Sequence, residues 1–154
     1  MRYYYKLVQH FLCSNSRHGT HSPFVYRLAE KVIYSKSSSS SCSTLSKAAS
    51  LMSDIASFYG MPIIEAQTKV KGEGIFKVAI DSLRMEQLYA LQKDYFMVLV
   101  TGIYTTRQAE KKWQQIVADK ATIVTIDLFH FGIVCYRREQ PKEHFRLRFP
   151  YWKY

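Results

Sequence analysis

The side chains able to do chemistry are scattered through this 154-residue chain. His18 and His21 flank Gly19 in the segment RHGTHSP. The glycine breaks the chain, so the pair does not sit on a regular helix, and the segment reads as a structural turn rather than a metal site. Gly72 and Gly74 form a GxG within the basic loop QTKVKGEGI. A lone GxG falls short of a phosphate-cradling fingerprint. Asp81 closes the strand-like run FKVAID next to Ser82. One carboxylate is a poor site for a hard cation, and an Asp-Ser pair suits a helix N-terminus. Cys13, Cys42 and Cys135 show no CxxC spacing and cannot all pair within one chain. They point to a reducing compartment, with Cys135 an inert core thiol. His130, between two phenylalanines, is expected in a turn or partly buried. No Ser/His/Asp constellation and no P-loop emerge, so neither catalytic nor metal-binding residues are assigned.

The elements that must position these residues follow from periodicity. Tyr4, Leu7, Val8, Phe11 and Leu12 recur at helical spacing, with Lys6 and Gln9 on the other side. Ser22-Pro23 is a helix start, and Phe24, Leu28 and Val32 line one face beyond it. Residues 1–36 are thus a helical segment, residues 37–44 a Ser-rich linker, and residues 45–154 an α/β domain, together one globular unit. A third helix runs from Leu45 to Tyr59, stopped by Gly60 and Pro62. MPIIEA, from Met61, and FKVAID, from Phe76, are strand candidates. Ser82 caps a helix to about Lys93, and YFMVLV from Tyr95 reads as a parallel strand covered on both faces. Thr105 with Gln108 fits a capping box ahead of Ala109, Trp113, Ile116 and Val117. Three strands close the chain, at Thr122–Ile126, Ile133–Tyr136 and His144–Phe149. Strand–helix alternation with antiparallel strands at the end means α/β, with any ligand sought beyond the carboxyl ends of the strands, near Ala66, Asp81 and Thr101.

Nearly half the residues are apolar, 47%, which argues against a disordered chain. The net charge of +10 implies attraction to polyanions. The N-terminal apolar run is broken by Gln9 and His10, so no signal peptide is expected. No window approaches a transmembrane span. The expected location is the cytoplasm, with no membrane partner.

Two stretches carry a family likeness. RHGTHSPFVY, residues 17–26, and TIDLFHFGIVCYRREQPKEHFRLRF, residues 125–149, resemble the terminal motifs of a family of class I S-adenosylmethionine-dependent methyltransferase-like proteins common in Bacteroidota. VLVTGIYTTRQAEKKWQQI, residues 98–116, is similar to that family's fifth strand and following helix, with Trp113 matching. The resemblance implies a Rossmann-like methyltransferase sheet with the cofactor above its first strands. It makes Glu65, matching the family's acid, and Asp81 the surviving cofactor contacts. Against the family pattern, the glycine-rich turn, its helix and strands two and three are missing between Ala66 and Phe76. Thr101 and Gly102 stand where the family carries an acidic pair. The expected sheet is therefore a truncated one, of five to six strands.

Three functions follow in order. The first is a methyltransferase-like scaffold that has lost S-adenosylmethionine and serves binding or assembly, pairing as a homodimer through the sheet edge that the deletion exposes. The second is an active methyltransferase with a rearranged cofactor site. The third is nucleic-acid binding through Arg137, Arg138, Lys142, Arg146, Arg148 and Lys153, interleaved with Tyr151, Trp152 and Tyr154.

Overall fold

The computed structural model describes residues 1–16, 21–36, 46–65 and 74–154. Helix α1 spans Arg2–Cys13, α2 Pro23–Leu28, α3 Lys47–Tyr59, α4 Met85–Asp94 and α5 Arg107–Ala118. The strands are β1 Ile63–Ile64, β2 Ile75–Ala79, β3 Met97–Thr101, β4 Val124–Asp127, β5 Phe131–Cys135 and β6 Glu143–Arg146. They form one sheet in the order β1-β2-β3-β5-β4-β6. β1, β2 and β3 pair in parallel, and β5 opposes both β3 and β4. β4 and β6 pair in parallel, so five strands share one direction and β5 alone runs against them. The fold is α/β and Rossmann-like, and the antiparallel part expected of the closing strands is confined to β5.

Why the β3 stretch reads as a continuous apolar run is now visible. Met97 and Leu99 face a core shared with α2 and α3, while Val98 and Val100 face a second core shared with α4 and α5. A strand covered on both faces has no polar side to show. β2 alternates likewise, Ile75 into the first core and Phe76 into the second. Trp113, Ala109 and Ile116 of α5 are buried as their spacing predicts, and Val117 is half-buried.

The helix boundaries show which caps operate. The Ser22 hydroxyl accepts from the Val25 amide with Pro23 in the first turn, and the helix continues into a π-helical turn over Ala29–Ile33. Gly60 closes α3 at φ 63°, a left-handed conformation that glycine adopts without penalty. At α5 the cap is Thr106, whose hydroxyl accepts from the Ala109 amide at 3.0 Å, while Thr105 instead bonds back to the Gly102 carbonyl. Ser82 does not cap α4. It ends a 3-10 turn, Ile80–Ser82, and α4 begins only at Met85.

β1 reaches parallel pairing with β2 across residues 65–74 alone, a connection shorter than a crossover helix allows. Gly74 packs closely under β1, where an added Cβ would lie 2.5 Å from Ile64 Cδ1, the movable end of that side chain. The GxG of Gly72 and Gly74, His18, Cys42 and the Ser-rich linker fall wholly or partly outside the described residues.

Candidate functional site

The carboxyl ends of β2, β3 and β4 lie along one edge of the sheet, and that edge is built around a buried acid. Asp127, the last residue of β4, is fully buried. Its carboxylate accepts four hydrogen bonds, two from helices α1 and α5 and two from the loops after β3 and β4. The Trp113 indole of α5 donates to Oδ2 at 3.2 Å, and the Tyr104 hydroxyl donates to the same oxygen at 2.6 Å. The Phe129 amide donates to Oδ1 at 2.9 Å, and His10 Nε2 of α1 lies 2.9 Å from that oxygen.

Local chemistry explains each placement. Tyr104 follows a turn opened by Gly102 at φ 76°, the left-handed region that suits glycine. Phe129 takes φ 68°, held by the hydrogen bond from its backbone N–H to the Asp127 carboxylate and by stacking on Tyr104 at 4.9 Å between centroids. Trp113 reaches the sheet because Gly132 of β5, opposite Asp127 in register, has no side chain. A Cβ on Gly132 would stand 2.2 Å from the indole. Burial by itself would raise the Asp127 carboxyl, but the donors from His10, Tyr104 and Phe129 outweigh it and hold it below its ordinary value. Tyr104 is pushed up, first by burial and then by the Asp127 charge.

α1 lies across this edge by its polar side. Besides His10, its Lys6 pairs with Glu110 of α5 at 2.9 Å, and Arg2 bonds the same carboxylate. The Ser14 hydroxyl donates to the His10 carbonyl, so toward His10 Nδ1, 2.9 Å away, it acts as acceptor. Both ring nitrogens of His10 are engaged, Nδ1 by Ser14 and Nε2 by the buried Asp127 carboxylate. Ser14, His10 and Asp127 are thus aligned like a hydrolase triad. Ser14 is only 5% exposed, and its hydroxyl also bonds the His10 carbonyl. The arrangement is a latch that fixes α1 over the carboxyl edge. A cavity of about 180 Å³ remains beside it, lined by Lys6, Gln9, His10, Tyr104, Glu110, Gln114 and Arg146.

Sequence reasoning singled out neither His10 nor Asp127 as partners. A signal existed: an aspartate within the β-branched and aromatic run TIDLF must be partnered if buried. Its partner lies 117 residues away, beyond any local pattern. Glu65 is exposed and bonded to Lys77 at 2.7 Å, which holds its carboxyl below the ordinary range. Asp81 is exposed in the turn after β2, its carbonyl 3.5 Å from Lys112 Nζ. Neither enters the Asp127 cluster. Cys135 is buried, its thiol pushed up to about 12 by that burial. His130 sits half-buried in the turn before β5, 2.8 Å from the Tyr151 hydroxyl.

Several of the basic residues named for polyanion contact have partners within the fold. Arg137 covers the Phe24 ring at 4.0 Å, Arg138 bonds the Tyr136 hydroxyl, and Arg148 covers the Phe11 ring at 4.5 Å. Arg146 lines the cavity beside His10. Lys153 turns inward to Asp54 at 2.7 Å and Tyr154 bonds the same carboxylate, leaving Trp152 exposed but stacked on Tyr34. Among the described residues no group of three or more His, Cys, Asp or Glu side chains is placed to hold a metal ion.

The chain matches no family model, no curated protein and no solved structure.

Proposed function

We propose that this protein is a methyltransferase-like scaffold without methyltransferase chemistry, acting in binding or assembly. The observation that carries this reading is the His10–Asp127 latch. In doubly wound α/β sheets the ligand crevice lies beyond the carboxyl ends of the strands. Here α1, Tyr104 and Phe129 occupy that position over β3 and β4, leaving a cavity of about 180 Å³ beside them. The four bonds on Asp127 leave it no lone pair with which to take a ribose hydroxyl or an amine. Glu65, the acid that the family resemblance assigns to the cofactor, is bonded to Lys77 instead.

Binding or assembly has a natural place at β1. Two residues long and paired on one side only among the described residues, it ends the sheet beside β2. An open strand edge pairs readily with another chain, and a homodimer is the simplest such assembly. Calorimetric titration with S-adenosylmethionine and with its demethylated product tests the loss of the cofactor. No heat of binding at millimolar ligand is expected, and micromolar binding would return the protein to the active methyltransferases. Sedimentation velocity tests the assembly: wild type should dimerise and Ile63→Pro, which removes a strand amide, should not.

A further inference from the structure

An amphipathic helix in a soluble fold normally buries its apolar side, and α1 does the reverse. Its polar side, Arg2, Lys6 and His10, is spent on Glu110 and Asp127. Its apolar arc points to solvent: Tyr4 is 70% exposed, Tyr5 67%, Val8 58%, Phe11 42% and Leu12 74%. On a helix these positions form one continuous stripe centred on Val8. Only Leu7 of the helix's aliphatic residues contributes to the core.

Cations flank the stripe on both sides. Beyond Tyr5, Arg107 and Lys111 border an open depression of about 430 Å³ that they line with Gln114 and with Arg2 and Lys6 on their partner Glu110. Beyond Phe11 stands Arg148, its guanidinium over the ring. The helix itself contains no acidic residue. A second copy of the chain would bring its own +10 charge against this surface, so self-association through it is opposed electrostatically. An apolar stripe of aromatic and aliphatic side chains between basic flanks matches an interface in which hydrocarbon lies beneath a layer of phosphates.

We infer that α1 is a membrane-surface anchor: its Tyr4–Val8–Leu12 stripe enters the acyl boundary of an anionic lipid bilayer while Arg107, Lys111 and Arg148 meet lipid phosphates. No described helix is long and apolar enough to cross a membrane, so the contact is peripheral. The same latch that covers the carboxyl edge of the sheet holds the stripe outward. This inference stands independently of whether the cofactor binds.

The test is co-sedimentation of the full chain with vesicles of phosphatidylcholine mixed with phosphatidylglycerol, and with vesicles of phosphatidylcholine alone. Wild type should pellet with the mixed vesicles and far less with the neutral ones. Val8→Asp/Leu12→Asp should lower the partition by about tenfold or more, since burying each aliphatic side chain drives insertion. Both residues are exposed, so Tm and the circular dichroism spectrum should stay at wild-type values. Arg107→Glu/Lys111→Glu should lose binding to the mixed vesicles most at low salt. The tryptophan emission of Tyr4→Trp should blue-shift on adding mixed vesicles, beyond any shift of the wild type. Absence of pelleting, or pelleting unaffected by Val8→Asp/Leu12→Asp, overturns the inference. So does a lipid-free dimer that these substitutions abolish, which would make a second copy the occupant. Binding to a single-stranded oligonucleotide that they abolish, without vesicle binding, would give the face to nucleic acid instead.

Discussion

His10 Nε2 and Asp127 Oδ1 lie 2.9 Å apart, both side chains withdrawn from solvent, and join the first helix of the chain to the end of its fourth strand. Breaking a buried pair leaves an uncompensated charge behind, at a cost of about 3–5 kcal/mol. Asp127→Ala should lose at least that much, because Tyr104 and Trp113 lose their acceptor as well. His10→Ala should cost less than Asp127→Ala, and the double variant should fall well short of the sum. Urea unfolding of the four proteins gives the coupling; additive losses would show that the pair does not act as a unit.

Acid should destabilise the protein in two steps. Burial, then the charge of His10, lowers His130 below its ordinary 6.5, and burial likewise lowers His144. The unfolded chain therefore takes up protons where the folded chain does not, and stability falls as pH drops below about 6.5. Asp127 is held below its ordinary 3.8, so a second loss follows as pH falls through that value and beyond. Tm measured from pH 8 to pH 3 should show both. His130→Gln/His144→Gln should flatten the upper step and leave the lower; an unchanged upper step would contradict the assignment.

Gly132→Ala probes the packing behind the latch. Its methyl would meet the Trp113 indole at 2.2–2.6 Å, and a buried ring against backbone cannot give way cheaply. Overpacking of this kind costs about 1–3 kcal/mol. Displacing the indole also lengthens its bond to Asp127, so the Trp113 fluorescence should change along with stability. Wild-type stability and emission would mean that the ring has room to move.

Much of this fold was legible because its signals are local. The Met97–Val100 run, the α5 spacing, the Ser22-Pro23 start and the Gly60 stop each lie within a few residues, and each is realised. The cap of α5 slipped from Thr105 to Thr106 because both are threonines and only the backbone of the Gly102 turn decides between them. The site was not legible. His10 looks like an interruption in an apolar helix, and Asp127 like the polar end of a strand, until the fold brings them together. The orientation of α1 was hidden for the same reason: hydrophobic periodicity finds a stripe but does not say which way it faces. Within the C-terminal basic and aromatic stretch, Lys153 and Tyr154 turn inward to Asp54, a partner about a hundred residues away that no local pattern reveals.

That inward turn makes a prediction about polyanions. The Lys153 side chain is 2% exposed and its ammonium donates to Asp54 and to the Val32 carbonyl, at 2.8 Å. Lys153→Met should lower stability by about 1–3 kcal/mol while leaving the affinity for a single-stranded oligonucleotide, and its salt dependence, unchanged. A weakened, flatter salt response would place Lys153 on a nucleic-acid surface.

The most direct measurement follows backbone amides by NMR as S-adenosylmethionine is added. If the latched carboxyl edge has replaced the cofactor crevice, the amides of Glu65, Asp81, Thr101, Gly102 and Asp127 stay in place up to millimolar ligand. Saturable shifts clustered at those residues would mean that the cofactor still binds above the strands and that α1 yields to it.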